Sequence, residues 1–201
     1  MDVRTLANDC ALMTHDPSFN EITAPQWLVF IRSASSLCRN KGWLVDYEDD
    51  ESIDVVASQF DYAVPLPFAY VDRLLVSETD GVTYIDPVPG EQWEIRLNDG
   101  VPKFSFVTLS YLSPGSTLKV VGQRRPTIYT SLDEQIDAGM DSFLLERALY
   151  YGFRYLGAGS SELAGWRRQM SQQSFQTSEE LLRRHPQEFR MHPSATYVSG
   201  R

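Results

Sequence analysis

The sequence predicts an α+β fold: a helical bundle with an inserted antiparallel β-meander and an extended C-terminal arm. Three observations predict it. Apolar residues recur at three- and four-residue spacing over residues 2–14, 23–42 and 130–156, while between residues 43 and 122 the period falls to two and turn dipeptides interrupt short apolar runs. Residues 187–201 have no period. The domains expected from this are a helical core of residues 1–42 and 123–186, an inserted β domain of residues 43–122, and an arm of residues 187–201.

The first helix is expected over residues 2–14, capped by Asp2, with Val3, Leu6, Ala7, Cys10 and Met13 as its buried stripe. His15-Asp16-Pro17-Ser18 breaks it. The second begins at a capping box of Thr23 and Gln26, has Pro25 in its first turn, and carries Ile22 and Trp27 at hydrophobic-staple positions. Trp27, Phe30, Ile31, Ala34, Leu37 and Cys38 continue its face until Gly42 ends it, completing an N-terminal helical hairpin.

In the β region, Val64-Pro65-Leu66-Pro67 excludes a long helix and leads into a strand over residues 70–76. Asp80-Gly81 predicts a hairpin to residues 82–85, Pro89-Gly90 another turn, and Asn98-Asp99-Gly100 a third after the alternating Trp93-Glu94-Ile95-Arg96-Leu97. Phe104, Phe106 and Thr108 are expected on one face. Ser113-Pro114-Gly115-Ser116 is read as closing a last hairpin onto residues 118–121.

The longest helix is predicted to start at Ser131 and Glu134, an S-x-x-E box, and to bury Ile136, Met140, Phe143, Leu144, Ala148, Tyr151 and Tyr155. Asp133, Asp137, Asp141, Glu146 and Arg154 fall off that face, and Gly157 and Gly159 supply the stop. A polar helical stretch follows from about Ser161, with Leu163, Trp166 and Met170. Thr177 and Glu180 then suggest a separate short helix ended by Pro186. Phe189, Met191, Tyr197 and Val198 lack a local surface to bury them, so the arm is read as disordered or as docking on a partner chain.

Net charge is −9, unevenly spread: residues 1–122 hold 8 basic against 18 acidic side chains, and residues 123–201 hold 10, all arginine, against 9. Acidity over the first part argues against a nucleic-acid-binding face there. Arginine without lysine suits planar pairing with carboxylates at a protein interface. Arg124, Arg125, Arg167, Arg168, Arg183 and Arg184 are therefore the inter-subunit candidates, able to meet the carboxylates of an identical copy. Cys10 and Cys38 sit on apolar helical faces and are expected as free, buried thiols. No apolar run reaches the roughly 20 residues of a membrane span, and the N-terminus lacks a signal-peptide layout, which predicts folding in a cytoplasm.

Catalytic chemistry is hard to find. His15, His185 and His192 have no partner at metal-ligand spacing, and the acidic run from Asp46 to Asp54 lacks a calcium loop's spacing. No Walker loop, dinucleotide fingerprint or nucleophile elbow is present. Gly157-Ala158-Gly159-Ser160 reads as a helix–helix turn rather than an anion cradle. No cofactor or metal is expected.

The order of parts carries more than any motif. A helical hairpin with Trp27 and Trp43 is followed by an acidic loop, then Phe60-Asp61-Tyr62-Ala63-Val64-Pro65-Leu66-Pro67 entering a strand, then the meander. Leu118-Lys119-Val120-Val121-Gly122-Gln123-Arg124-Arg125-Pro126 precedes the long helix. This resembles the head-tail adaptor (connector) proteins of tailed bacteriophages over most of the chain. The resemblance implies a non-enzymatic virion protein of the neck, assembled in the host cytoplasm as a homo-oligomeric, commonly dodecameric ring. Such a ring binds beneath the portal protein, prolongs the DNA channel and meets the next neck or tail-completion protein. DNA passes without sequence-specific binding, and no membrane is involved. The resemblance also implies that the C-terminal segment reaches the portal, giving Phe189, Arg190, Met191, Tyr197, Val198 and Arg201 a docking role. Two other readings remain open: a ligand-binding β module presenting Trp93, Tyr84 and Tyr111 to a sugar or peptide, and an enzyme using Asp72 and Glu94 as an acid–base pair.

Overall fold

The structure, a computed structural model, describes residues 1–48, 53–65, 68–77, 84–158, 161–184 and 196–197, without the side chains of 84–87 and 196–197. The fold is α+β, with four helices and antiparallel sheets among the described residues. The chain forms two compact units, Met1–Trp43 with Pro126–Gln187, and Leu44–Arg125 with Glu188–Arg201.

The first unit holds helices α1 (Val3–Met13), α2 (Ala24–Asn40), α3 (Asp141–Leu156) and α4 (Glu162–Arg184). Asp2 caps α1 by accepting the Thr5 N–H at 2.7 Å. Val3, Leu6, Ala7 and Cys10 are buried as expected, but Met13 is exposed and Ala11 takes its place. The helix is ending there: Thr14 turns inward, its hydroxyl donating to the Cys10 carbonyl at 2.9 Å, and His15 adopts a φ of 61°. On α2 the Thr23 N–H donates to Gln26 Oε1 at 2.8 Å, and Ile22 and Trp27 are both fully buried.

The predicted start of the long helix is overturned, since α3 begins at Asp141 rather than Ser131. Glu134 does reach back, accepting the Thr130 and Ser131 N–H groups at 2.9 and 2.7 Å, but it closes a turn. The carbonyls of Leu132 and Glu134 are taken by the Arg4 and Val3 N–H groups at 2.9 and 3.0 Å, which satisfies the unpaired first turn of α1. Held against α1 in this way, the stretch makes an antiparallel bridge, Gln135 opposite Asp2, instead of a helical turn. Gly139, at φ 79°, completes the break. Asp137, expected off the buried face, is buried, accepting the Thr127 N–H at 2.7 Å and donating its own N–H to the Tyr129 hydroxyl at 3.0 Å.

In α3, Phe143, Leu144 and Ala148 are buried as predicted, joined by Arg147, Leu149, Gly152 and Phe153, whereas Tyr155 is exposed. Beyond it, α4 is one helix of 23 residues, without the second start expected at Thr177. Its buried face is Ala164, Ser171, Ser174 and Ser178, side chains small enough for close approach to α3. Serines 171 and 178 satisfy their hydroxyls on the Tyr150 and Phe175 carbonyls, at 3.2 and 2.8 Å. A stripe of serine does not register as apolar, which is why the spacing of Leu163 and Trp166 misreads this helix.

The second unit holds strands β1 (Val45–Glu48), β2 (Ile53–Asp54), β3 (Asp61–Ala63), β4 (Phe68–Ser77), β5 (Tyr84–Pro87), β6 (Trp93–Asn98), β7 (Val101–Phe106), β8 (Thr117–Arg124) and β9 (Thr196–Tyr197). They form two antiparallel sheets instead of a simple meander: β1-β8-β4-β5, with β2 on β8 and β9 on β4, and β3-β7-β6. The Ser113–Ser116 turn exists, the Ser116 N–H donating to the Ser113 carbonyl at 3.0 Å, but it passes the chain from the small sheet to the large one. Strand β8 there pairs back with β1, β2 and β4. The β6–β7 hairpin turns on Asp99-Gly100, with φ of 53° and 77° as a type I′ turn requires. The residues of the Asp80-Gly81 signal lie outside the described ones, although β4 and β5 pair antiparallel on either side.

Side chains of both sheets meet in one core, with Phe68, Leu74, Leu118 and Val120 from the large sheet and Tyr62, Trp93, Phe104 and Phe106 from the small. Gly122 lies where β4 shifts register against β8; a Cβ there would stand 2.9 Å from the Val71 Cα and closer still to the Tyr70 carbonyl oxygen. At the C-terminus, β9 pairs with the outer edge of β4 through Tyr70↔Tyr197 and Val71↔Thr196. Thus two residues of the stretch expected to extend away find backbone partners within the same chain.

Candidate functional site

The predicted interface arginines separate into two groups. Those at the start of α4 serve the helical unit. Arg167 pairs with Glu21 and points Nη1 at the Leu156 carbonyl (3.5 Å), and Arg168 Nη1 donates to the Gly157 carbonyl at 3.1 Å. Both therefore supply positive charge and donors to the carbonyl end of α3. Arg184 pairs with Glu180 one turn back, Arg183 is exposed, and so is Arg125. The Arg124 guanidinium lies 5.1 Å from the Tyr47 ring centroid. Of the arm candidates, Phe189, Arg190, Met191, Val198 and Arg201 lie outside the described residues, and Tyr197 is described as backbone in β9.

One arginine escaped the sequence reading. Arg147 is 4% exposed, its guanidinium 5.1 to 5.7 Å from the ring centroids of Phe143, Tyr150 and Phe175 and paired with Glu179. It pins α3 to α4. A signal existed, since Arg147 falls four residues after Phe143 and three after Leu144, at the spacing that puts it on the apolar stripe.

A cleft of about 290 Å³ in the β unit is lined by Asp46, Glu48, Tyr70, Asp72, Arg73 and Gln123 among others. Asp46 accepts from Gln123 at 3.0 Å, and Glu48 pairs with Lys119 at 2.7 Å. Glu94, proposed as Asp72's acid–base partner, is in the other sheet and pairs with Arg96. The two carboxylates are not brought together. Trp93 is buried and stacks edge-on to Phe104 at 5.7 Å, so it cannot present a surface to a sugar or peptide. Tyr111 is exposed, and the Tyr84 side chain lies outside the described set.

His15 packs 5.7 Å from the Trp166 ring, while His185 and His192 lie outside the described residues. Among the described residues no three His, Cys, Asp or Glu side chains gather to hold a metal ion, and no helix is long and apolar enough to cross a membrane. Cys10 and Cys38 are free and buried. Burial pushes the Cys10 thiol up, and Cys38 up to about 12. Both thiols are thus held protonated and unreactive.

Two carboxylates are perturbed the other way. Burial alone would raise Asp16, but the N–H groups of Ile22, Glu21 and Asn20, with Arg167 nearby, outweigh it and hold the carboxyl below its ordinary value. The Thr130 N–H and hydroxyl do the same for Glu134. Each closes a loop with its charge.

The geometry is thus that of side chains spent on joining elements. A comparison with curated proteins finds no match. The family model described as SU10 adaptor protein matches residues 1–194, taking in helices α1 to α4 and all but the last few residues of the chain. The chain belongs to the SU10 adaptor protein family, a family of phage head-tail adaptors.

Proposed function

We propose that the protein forms a homo-oligomeric, dodecameric ring beneath the portal protein, extending the DNA channel and joining the head to the next neck or tail-completion protein. The observation that carries this reading is the reach of the family match, residues 1–194, which spans the first unit, the second unit up to β9 and about half of the C-terminal stretch. Membership makes the chain a structural component of the virion that works through contacts with other virion proteins. The neck is the place that a head-tail adaptor serves.

Charge supports the channel. Residues 44–125 and 188–201 carry 8 basic and 15 acidic side chains, a net −7, so DNA meets a surface that repels phosphate and lets it slide. Arg125 and Arg183, exposed, and Arg124 are the arginines best placed to meet a neighbour's carboxylates. Phe189, Arg190, Met191, Val198 and Arg201, with Tyr197, dock on the portal. For this the pairing of β9 must be given up, and a two-residue ladder at about 0.5–1.5 kcal/mol per hydrogen bond is weak enough to exchange.

The test is negative-stain imaging of the protein mixed with its own portal, full length and lacking residues 187–201. Coaxial rings that form with the full chain and fail with the truncated one are expected. Undiminished portal binding by the truncated chain removes the docking arm, and an absence of rings with the full chain removes the ring.

A further inference from the structure

The C-terminal strand joins the β unit from elsewhere in the chain. Strands β1 to β8 follow one another within residues 44–125, whereas β9 arrives only after the last helix of the other unit. Its pairing is short: Tyr197 stands opposite Tyr70 and Thr196 opposite Val71, on the outer edge of β4. Farther along β4, β5 pairs with Leu75, Val76 and Ser77. Strand β9 also lies beside β6 of the small sheet, so it stands at the seam between the two sheets.

Val71 is fully buried, Trp93 at the start of β6 is 3% exposed, and both belong to the core that the sheets share. An open strand edge beside such residues presents unpaired N–H and C=O groups next to apolar core, which is the template another chain's strand adds to. The seam therefore needs a strand, while little fixes which copy supplies it. Two residue pairs hold β9 in place. Residues 185–195, which tether it to α4, reach at most about 40 Å. A compact unit of about 100 residues, the size of each unit here, has a radius of gyration of about 13 Å, so the tether is longer than a unit is wide. The occupant follows from the pairing itself: every copy offers the same β4 edge, and β9 makes identical backbone bonds on any of them.

We infer that in the free protein β9 is exchanged between copies, the Thr196-Tyr197 strand of one subunit completing the seam of another. Leaving its own β4 is a step that docking on the portal also requires, but the exchange needs neither portal nor ring and goes beyond that reading. It links subunits without new surface, because each seam still receives one strand in the same register. Once a tether joins two chains, any further contact between those copies forms at high effective concentration.

The experiment is disulfide trapping in the full-length protein without portal. Val71 and Thr196 face each other across the ladder, where paired Cα atoms are about 4.5–5.5 Å apart, within the roughly 4.4–6.8 Å that a disulfide spans. Val71→Cys and Thr196→Cys are made in separate chains, refolded together from urea so that each β9 is free to take either edge, and then oxidised. Cys10 and Cys38 are buried and do not compete. A two-chain species on non-reducing gels is expected, on the order of tenfold above that from Thr196→Cys mixed with Leu97→Cys, a control thiol on the exposed hairpin. A mixture that stays at the control level, while the double variant closes within one chain, keeps β9 on its own subunit and overturns the exchange. Failure of both to close removes the pairing and overturns it too. Tyr70→Cys with Tyr197→Cys repeats the test where circular dichroism shows that Val71→Cys has lost the fold. Because no portal is present, a negative result leaves the ring reading standing, and that reading fails only on its own imaging test.

Discussion

Gly152, in the middle of α3, offers a test in which helix propensity and packing give opposite signs. In an exposed helix interior, Gly→Ala gains about 1 kcal/mol, since alanine loses less backbone entropy on folding. At Gly152 an added Cβ would meet the Trp27 indole, with Cζ3 at 2.7 Å, Cζ2 at 3.2 Å and Cη2 nearer than either. Trp27 is fully buried on α2, its ring edge-on to Phe30 at 5.7 Å, so it has no empty space to swing into. Overpacking a filled core costs about 1–3 kcal/mol, and a Cβ closer than 3.0 Å to two atoms of a ring that cannot swing away places this site at about 2–3 kcal/mol. Against the propensity gain, Gly152→Ala should destabilise by about 1–2 kcal/mol, a fall of roughly 2–8 °C in Tm for a chain of this size. Urea denaturation followed by helical circular dichroism measures it. Trp27→Phe removes the offending ring atoms, so the double variant should be more stable than the sum of the single effects by on the order of 1 kcal/mol. A Gly152→Ala protein as stable as the wild type, or single effects that simply add, would refute the argument that α2 and α3 are set by this contact.

Two further perturbations probe charges that the fold buries. Glu179→Ala leaves the Arg147 guanidinium buried without its carboxylate and should cost about 2–4 kcal/mol, whereas Arg147→Met keeps the stacking volume, leaves a carboxylate that is one-third exposed, and should cost about 1 kcal/mol or less; equal losses in urea melts would rule out an unpaired buried cation as the cause. Asp16 has a folded-state pKa below its unfolded value, so its contribution is present above about pH 4 and disappears as pH falls through the lowered pKa. The stability gap between wild type and Asp16→Asn should accordingly narrow below about pH 4, and a gap constant with pH would show that the three N–H bonds do not depend on the charge.

Local chemistry was legible in the sequence wherever the deciding partners lie within a few residues. Asp2 and Thr23 cap the helices they precede, Asp99-Gly100 makes its two-residue turn, and the buried stripes of α1 and α2 follow their spacing, because a cap, a turn or a helical face is satisfied within a turn or two of chain. The α+β class and the family resemblance were legible for the same reason, being sums of such elements in order. Four features were not, and each depends on a distant partner. The S-x-x-E signal at Ser131 lost to the N-terminus of α1, whose unpaired N–H groups claim the carbonyls of Leu132 and Glu134 from the far end of the sequence. Strand β8 joined β1, β2 and β4 rather than its sequence neighbour β7, a choice made by which sheet buries Leu118 and Val120. In α4 a face of serines became an interior face because α3 needed close approach more than apolar area, and Arg147 could enter that interior because Glu179 and three aromatic rings surround it there. The sequence by itself thus determined where helices and turns can start, whereas tertiary packing decided which of those starts survive, since a backbone group or a buried charge commits to whichever partner satisfies it away from water.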